Sequence, residues 1–388
     1  MMSSSDTFSR QIPPLMRTIV YGKTVGSYAL RHEVTVPKPK KNQILVRVHA
    51  VGLNPVDAKG VIGDKLPRWD KLRNVVHEHA VKGHIPGFDF AGTVVDASQS
   101  SFAVGTAVFG TMPPLQGTLA EYIAVPLDQV WEMPVKSATT PTSADFVNAA
   151  ALPLVGLTGL QCLQPHLENL PSVLVLGASG GTGHVMLQIA QCLGARHVTA
   201  VCSAKNFDFC EENGATDVID YHEPELMKKL QEASGCPYDF VMDCVTSEDP
   251  RDKDKVHYPT LLQEQKDSLL SPNYVYRRLG GATSDWIRAS LQRVVSGGAG
   301  GPKGSFFWWR LGAASSNEQL FWVRFHQTCH ELEQLAQWVK EGKLKPSVQE
   351  VYPFSEKGVQ SAMDAILSRR VRGKVVVQIY PQLSEQEV

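Results

Sequence analysis

The residues with the plainest chemical purpose in this chain lie together between positions 173 and 206. A continuous apolar run, 173–176, leads into Gly177, Ala178, Ser179, Gly180, Gly181, Thr182 and Gly183, and then into a helical period whose one face is marked by Met186, Ile189, Ala190 and Leu193. Ala178, Gly180 and Gly183 stand at the three spaced positions of a dinucleotide-binding turn, with Ala in place of the first Gly. Small residues there let the backbone turn tightly, come close to a diphosphate, and pack the helix on the strand. The first helical turn then offers free N–H groups and partial positive charge to the phosphates. With Ser179, Gly181 and Thr182 completing the loop, the whole segment 178–183 is a candidate cofactor site.

The end of the next apolar run, 198–202, bears on which nucleotide is held. An NAD site carries an acid about 20 residues past the glycines, where it accepts hydrogen bonds from the adenosine ribose. This chain has Ser203, Ala204, Lys205 and Asn206 there. A hydroxyl and an ammonium suit a 2′-phosphate, so NADPH is the expected cofactor. Two other readings stay open: Lys205 as the opening of a surface helix, and Asp208 as an acid that keeps NAD in play.

Residues so arranged need a parallel sheet to hold them. Beyond 173–176 and 198–202, apolar runs at 218–219 and 240–245 alternate with helical periods, the pattern of buried parallel strands joined by crossover helices. A helix is expected at 260–270, a turn at Pro272 and Asn273, a strand at 274–279, a long helix at 317–344, a strand at 348–352, a helix at 355–369 and a strand at 375–379. The earlier part reads differently: short strands at 18–21, 44–51, 90–95, 107–110 and 120–125, broken by Gly and Pro. The segments 246–255 and 295–304 read as loops, and Pro302, Lys303, Gly304 and Ser305 do not form a P-loop.

At 388 residues the chain fits two domains of about 150 residues or more rather than one core. Hydrophobic residues make up 43% and charged residues 20%, an ordinary globular composition. The 38 Lys and Arg balance 39 Asp and Glu, which leaves no field to draw nucleic acid or an anionic membrane; a small-molecule partner is expected. No apolar run reaches the roughly 20 residues of a membrane span. The first 17 residues are polar and Ser-rich, without a secretory apolar core, which makes the cytoplasm the expected compartment and leaves organellar targeting open. The seven cysteines, all beyond residue 161, read as reduced thiols, and none before that point can give a thiolate to a metal. His77, Glu78, His79 and His84, in a loop just before Ile85, lack the spacing that sets two ligands on one helical face, and no metal site is expected from them.

Several motifs together resemble the zinc-independent quinone oxidoreductase branch of the medium-chain dehydrogenase/reductases, near its enone, alkenal and reticulon-interacting oxidoreductase-like members. They are 52–59 (Gly-Leu-Asn-Pro-Val-Asp-Ala-Lys), 85–92 (Ile-Pro-Gly-Phe-Asp-Phe-Ala-Gly), 117–122, 149–158, the glycine turn, 218–221 and 372–376. The resemblance implies an α/β fold: a GroES-like β domain over 1–155, completed by 346–388, and a Rossmann domain over 156–345, with substrate and nicotinamide meeting between them. Zinc-dependent relatives carry Cys where this chain has Asn54 and Gly-His-Glu where it has Gly87, Phe88 and Asp89. Without that Lewis acid, alcohol oxidation is not expected. Hydride addition to a quinone or an α,β-unsaturated carbonyl is, because conjugation carries the developing charge to an oxygen that hydrogen-bond donors stabilise.

By the same resemblance Asn54 and Lys59 are the catalytic candidates: Asn54 lies beside the nicotinamide, where its amide could orient the carboxamide or the substrate oxygen, and Lys59 is a candidate donor to the enolate or quinone oxygen, with a solvated loop lysine as the other reading. Thr158 is placed near the nicotinamide or its phosphate, Ser203, Lys205 and Tyr221 near the 2′-phosphate, Val245 on the adenine side, Gly280 and Gly281 by the nicotinamide half, and Lys374, from the closing tail, as a further cofactor-binding residue. The aromatic residues Trp286, Phe306, Phe307, Trp308, Trp309, Phe321, Trp322 and Phe325 have three readings: a homodimer surface, a lid over a bulky acceptor, or core. Two other functions stay open, a 2-enoyl-thioester reductase and a non-catalytic NADPH-binding interaction protein.

Overall fold

Apolar runs form strands along most of this computed structural model, which describes residues 12–59, 77–98, 100–113, 116–134, 140–166, 171–245, 258–280, 318–321, 323–325 and 328–380. In chain order the strands are β1 (Leu15–Tyr21), β2 (Tyr28–Thr35), β3 (Gln43–Leu53), β4 (Asp89–Asp96), β5 (Ala107–Thr111), β6 (Tyr122–Pro126), β7 (Val130–Glu132), β8 (Ser172–Leu176), β9 (His197–Cys202), β10 (Asp217–Asp220), β11 (Tyr238–Asp243), β12 (Leu270–Arg278), β13 (Glu318–Leu320), β14 (Val348–Pro353) and β15 (Lys374–Gln378). They fall in two units. The first takes the chain to Leu154, Phe325–Glu341 and everything from Pro346; the second takes Val155–Arg324 and Gly342–Lys345.

In the first unit β3 is the organising strand. Its eleven residues pair antiparallel with β15, β4 and β6, in a sheet ordered β14-β15-β3-β4-β5-β7 with β6 also on β3. A strand paired along both edges and covered on both faces must be apolar nearly throughout, and nine of its residues are buried. Ile19, Val48, Val51, Phe90, Val108 and Val377 belong to one core with Val359, Ala362 and Met363 of the helix Glu356–Leu367. That helix starts where the Ser355 hydroxyl accepts from Gly358 N at 3.0 Å. The helix Ser143–Ala150 starts with a reciprocal cap between Thr142 and Asp145.

The second unit has a six-stranded, wholly parallel sheet ordered β10-β9-β8-β11-β12-β13. Counted from β8, this is the order 3-2-1-4-5-6 of a doubly wound dinucleotide-binding sheet, and it reverses between β8 and β11. All five residues of β8 are buried, as strands covered on both faces require. The α/β class expected from the sequence is the class observed.

Some of the expected elements take another form. The long helix over 317–344 is instead the strand β13 and, further on, the shorter helix Cys329–Lys340. Phe321, Val323 and Phe325 are all buried, a period of two that belongs to extended chain. The turn at Pro272 and Asn273 is absorbed into β12 as an outward bulge, for Leu270 pairs with Tyr238 while Val275 already pairs with Phe240. His77–Val81 is a single π-helical turn rather than a loop. The stretch Ser143–His166 is long and apolar enough to cross a membrane, with a hydropathy of 1.6, but 78% of its window is buried in the fold. The loops expected at 246–255 and 295–304 lie outside the described residues.

Candidate active site

The glycine turn begins where β8 ends. Gly177 has φ +77°, a conformation that side chains resist, and Gly177 N and Ala178 N both donate to Val201 O of β9, at 2.9 and 3.0 Å. Gly180 N returns to Gly177 O at 3.1 Å, and the helix Gly181–Cys192 starts. At Gly183 a Cβ would lie 2.4 Å from Gly177 O and 2.7 Å from the Ala178 Cα, so only glycine lets helix and strand approach this closely. At Gly180 a Cβ would meet nothing but Gly177 O at 3.4 Å. That open side faces a helix start with no side-chain cap and no acid in its first turn. A diphosphate fits such a cradle, which supplies N–H donors and the positive end of the helix dipole.

Beside the turn stands the end of β11, at the reversal of strand order. A Cβ on Gly177 would come within 2.5 Å of Val245 Cγ2. Val245 N donates to Asp243 Oδ1 at 2.8 Å, Cys244 N donates to Leu176 O at 3.0 Å, and the Tyr276 hydroxyl donates to the other oxygen of buried Asp243. Across the end of β9, Asn206 Nδ2 donates to Ser179 Oγ at 3.0 Å and to Ser203 Oγ at 3.2 Å. Tyr221, 42% exposed, donates its N–H to Cys202 O at 3.1 Å, and Lys205 is exposed on the turn between them. Asp220 lies under the same turn. Burial acts to raise its carboxyl, but hydrogen bonds from the backbone and ring of His222 and from Ala204 N hold it below its ordinary value.

The first unit holds a second polar constellation, wholly buried. Lys374 Nζ donates to Asn54 Oδ1 at 2.6 Å and to Leu53 O at 2.9 Å, and lies 3.5 Å from Asp89 Oδ2. Asn54 Nδ2 donates to Asp89 Oδ2 at 2.9 Å, while Asp89 Oδ1 accepts from Leu154 N at 2.9 Å. Asn54 N donates to Asp57 Oδ2 at 2.7 Å, which pins the start of the short helix Pro55–Lys59. Burial pushes the Asp57 carboxyl up to about 7, Asn54 N opposing and Asp89 adding to the rise. Burial likewise raises Asp89 and lowers Lys374, each shift opposed by the other's charge.

This donor set does not fit zinc. An ammonium occupies the middle of it, and an amide, two carboxylates and a backbone carbonyl offer neither thiolate nor imidazole. Among the described residues no cluster of three or more His, Cys, Asp or Glu is spaced to hold a metal ion.

The residues marked out in the sequence thus separate into two sets. Ala178, Ser179, Gly180, Gly181, Thr182, Gly183, Ser203, Lys205, Tyr221 and Val245 come together around the ends of β8, β9, β10 and β11. Thr158 is buried in the helix Pro153–Leu163, and Gly280 follows β12. Asn54 and Lys374 meet in the first unit, where both ends of the Asn54 amide are engaged. Lys59 closes its helix, but its side chain lies outside the described residues, as do Gly281, Trp286, Phe306, Phe307, Trp308, Trp309 and Trp322. Phe321 and Phe325 are buried. Sequence reasoning had no role for Gly177, Asn206 or Asp57 and did not see Asp89 as an ion-pair partner. Asn206 alone carried a local signal, its place three residues past Ser203.

Comparison with known proteins gives the family. An alcohol dehydrogenase GroES-like domain matches residues 40–135 and a zinc-binding dehydrogenase domain matches residues 213–377. The chain is 31% identical over 377 residues to the trans-enoyl reductase pgmF of Aspergillus terreus, covering 92% of this chain and 94% of that one. It is 30% identical over 379 residues to the chloroplast envelope quinone oxidoreductase homolog of Arabidopsis thaliana, covering 94% and 98%. The human mitochondrial NAD(P)H oxidoreductase RTN4IP1 is 28% identical over 355 residues, 87% of this chain and 82% of the relative. In fold, the quinone oxidoreductase from Coxiella burnetii superposes with a TM-score of 0.68 over 94% of this chain and all (100%) of its own, at 24% identity.

Proposed function

The chain belongs to the medium-chain dehydrogenase/reductases, among their quinone-oxidoreductase-like members, and from that premise we propose that it is an NADPH-dependent, zinc-independent reductase of quinones or α,β-unsaturated carbonyls. The observation that carries the reading is the turn 177–183, open at Gly180 and set against an uncapped helix start. The backbone of 178–183 would hold the diphosphate, with Val245 on the adenine side, Gly280 by the nicotinamide half, and Ser203, Lys205 and Tyr221 taking the adenosine phosphate. A bound reduced nicotinamide supplies the hydride. The protein's own part is then to hold the acceptor in line and to place a proton donor at the oxygen where charge collects. Lys59 is that donor in our reading. The Asp57–Asn54–Lys374–Asp89 network fixes the short helix that ends at Lys59, which makes Asn54 a positioning residue for it.

A second reading has support from the relatives named trans-enoyl reductase: the acceptor would be a 2-enoyl thioester, reduced by the same conjugate addition. Consumption of NADPH with 1,2-quinones, 1,4-quinones, enones and 2-enoyl thioesters, with and without a chelator, decides between them. Turnover of quinones or enones untouched by chelator is expected. Turnover confined to the thioesters establishes the second reading, and nucleotide binding without turnover of any acceptor establishes a binding protein. No affinity for either nucleotide, or loss of activity on chelation, overturns the proposal. Lys59→Met should lower kcat about a hundredfold with NADPH affinity kept.

A further inference from the structure

We infer that Asn206 determines the preference for a 2′-phosphorylated nucleotide, acting as a positioning residue that turns the hydroxyls of Ser179 and Ser203 into phosphate donors. This rests on the NADPH reading above and deepens it. Asn206 closes the turn Ala204–Asn206, where its N–H donates to Ser203 O at 2.9 Å. Its amide nitrogen carries two hydrogens, and they go to two hydroxyl oxygens that belong to different strand ends, Ser179 after β8 and Ser203 after β9. A hydroxyl whose oxygen already accepts retains its single proton for another partner and donates it more strongly for being polarised. One amide therefore prepares two donors, with the exposed Lys205 ammonium beside them.

A phosphate monoester, with its negative charge and three acceptor oxygens, gains more from such donors than a ribose hydroxyl does. The Asp220 carboxylate under the same turn is tied to His222 and to Ala204 N. It is a like charge for the phosphate, so the favourable balance depends on the donors above it. Neither serine alone spans the gap between the two strand ends; Asn206 links them.

Dissociation constants of NADPH and NADH, measured by fluorescence titration on the intact protein, test this. Wild-type protein should bind NADPH more tightly. Asn206→Ala should lower the NADPH-to-NADH affinity ratio about tenfold, the worth of one or two neutral hydrogen bonds. Asn206→Asp, of the same shape, should lower it about a hundredfold, because its carboxylate takes the serine protons and repels the phosphate. NADH affinity should move less than threefold in both, which a merely structural role would not predict. Asn206→Asp and Ser203→Ala keep the test standing if the alanine variant fails to fold. A wild type that favours NADH overturns the NADPH reading. A wild type that favours NADPH, with a ratio unmoved in these variants, overturns the role of Asn206 alone.

Discussion

An ammonium as deeply buried as that of Lys374 is tolerated because three oxygens surround it, and one of them carries the opposite charge. Replacing it by Met would leave the Asp89 carboxylate, with no exposed surface, short of its cation. Lys374→Met should therefore cost about 3–5 kcal/mol of unfolding free energy in urea titrations. NADPH affinity should stay within twofold of wild type; a large loss of affinity with stability intact would make Lys374 a cofactor ligand instead. Asp57 makes a pH-dependent contribution. Its carboxyl titrates near 3.8 when free and at about 7 in the fold, so between those values the native state holds the extra proton. Native stability from this group is complete below pH 4 and lost as pH rises toward 7, at up to about 1.4 kcal/mol per pH unit. Asp57→Asn cannot titrate, so the difference in unfolding free energy, wild type minus variant, should fall across pH 4–7 and then level off. A flat difference would refute the shift. The resemblance marked out Asn54 and Lys374 singly, but their contacts were not legible in the sequence, because the two are 320 positions apart and nothing local announces a buried charge.

The strand–turn–helix element separates two glycines that look alike in sequence. Gly183 has no room for a Cβ, so Gly183→Ala should cost about 1–3 kcal/mol through overpacking of helix on strand. Gly180, with φ −79° and ψ 179°, accepts alanine without strain, and its Cβ would enter only the open side of the turn. Gly180→Ala should leave stability within about 0.5 kcal/mol while weakening nucleotide binding at least tenfold, read by urea titration and fluorescence titration side by side. Equal effects on both quantities at Gly180 would remove the cradle from the diphosphate. This element was legible because its signal is local: a buried run, small residues and a helical period in order. β2 was not, since most of its residues are half-buried or exposed and alternate weakly. The expected helix reached falsely back to 317 because Phe321 and Phe325 also satisfy a helical spacing; the pairing partner of β13, β12, lies some 40 residues earlier, beyond any local window.

At the scale of the whole molecule the two units differ in how the chain closes them. The second is nearly contiguous, with only Gly342–Lys345 returning to it, where Lys345 exchanges hydrogen bonds with the Gln188 side chain. The first is finished last: β15 inserts between β14 and β3, pairing Val375 with Leu53 and Gln378 with Ala50. Without it the long central strand would present an unpaired edge, so β3 and β15 should open together, as one cooperative unit. Native-state hydrogen exchange on the intact protein reads this directly. Amides of 50–53 and 375–378 should share opening free energies within about 1 kcal/mol of each other, despite their separation in sequence. Independent, faster exchange of 375–378 would make the C-terminal strand a frayed tail rather than a closing element. In the same experiment NADPH at a hundred times its dissociation constant should raise the opening free energy of β8 and β9 by about 2.7 kcal/mol, the mass-action limit for a ligand that requires the folded turn. An unchanged exchange rate in those two strands would move the nucleotide away from the second unit.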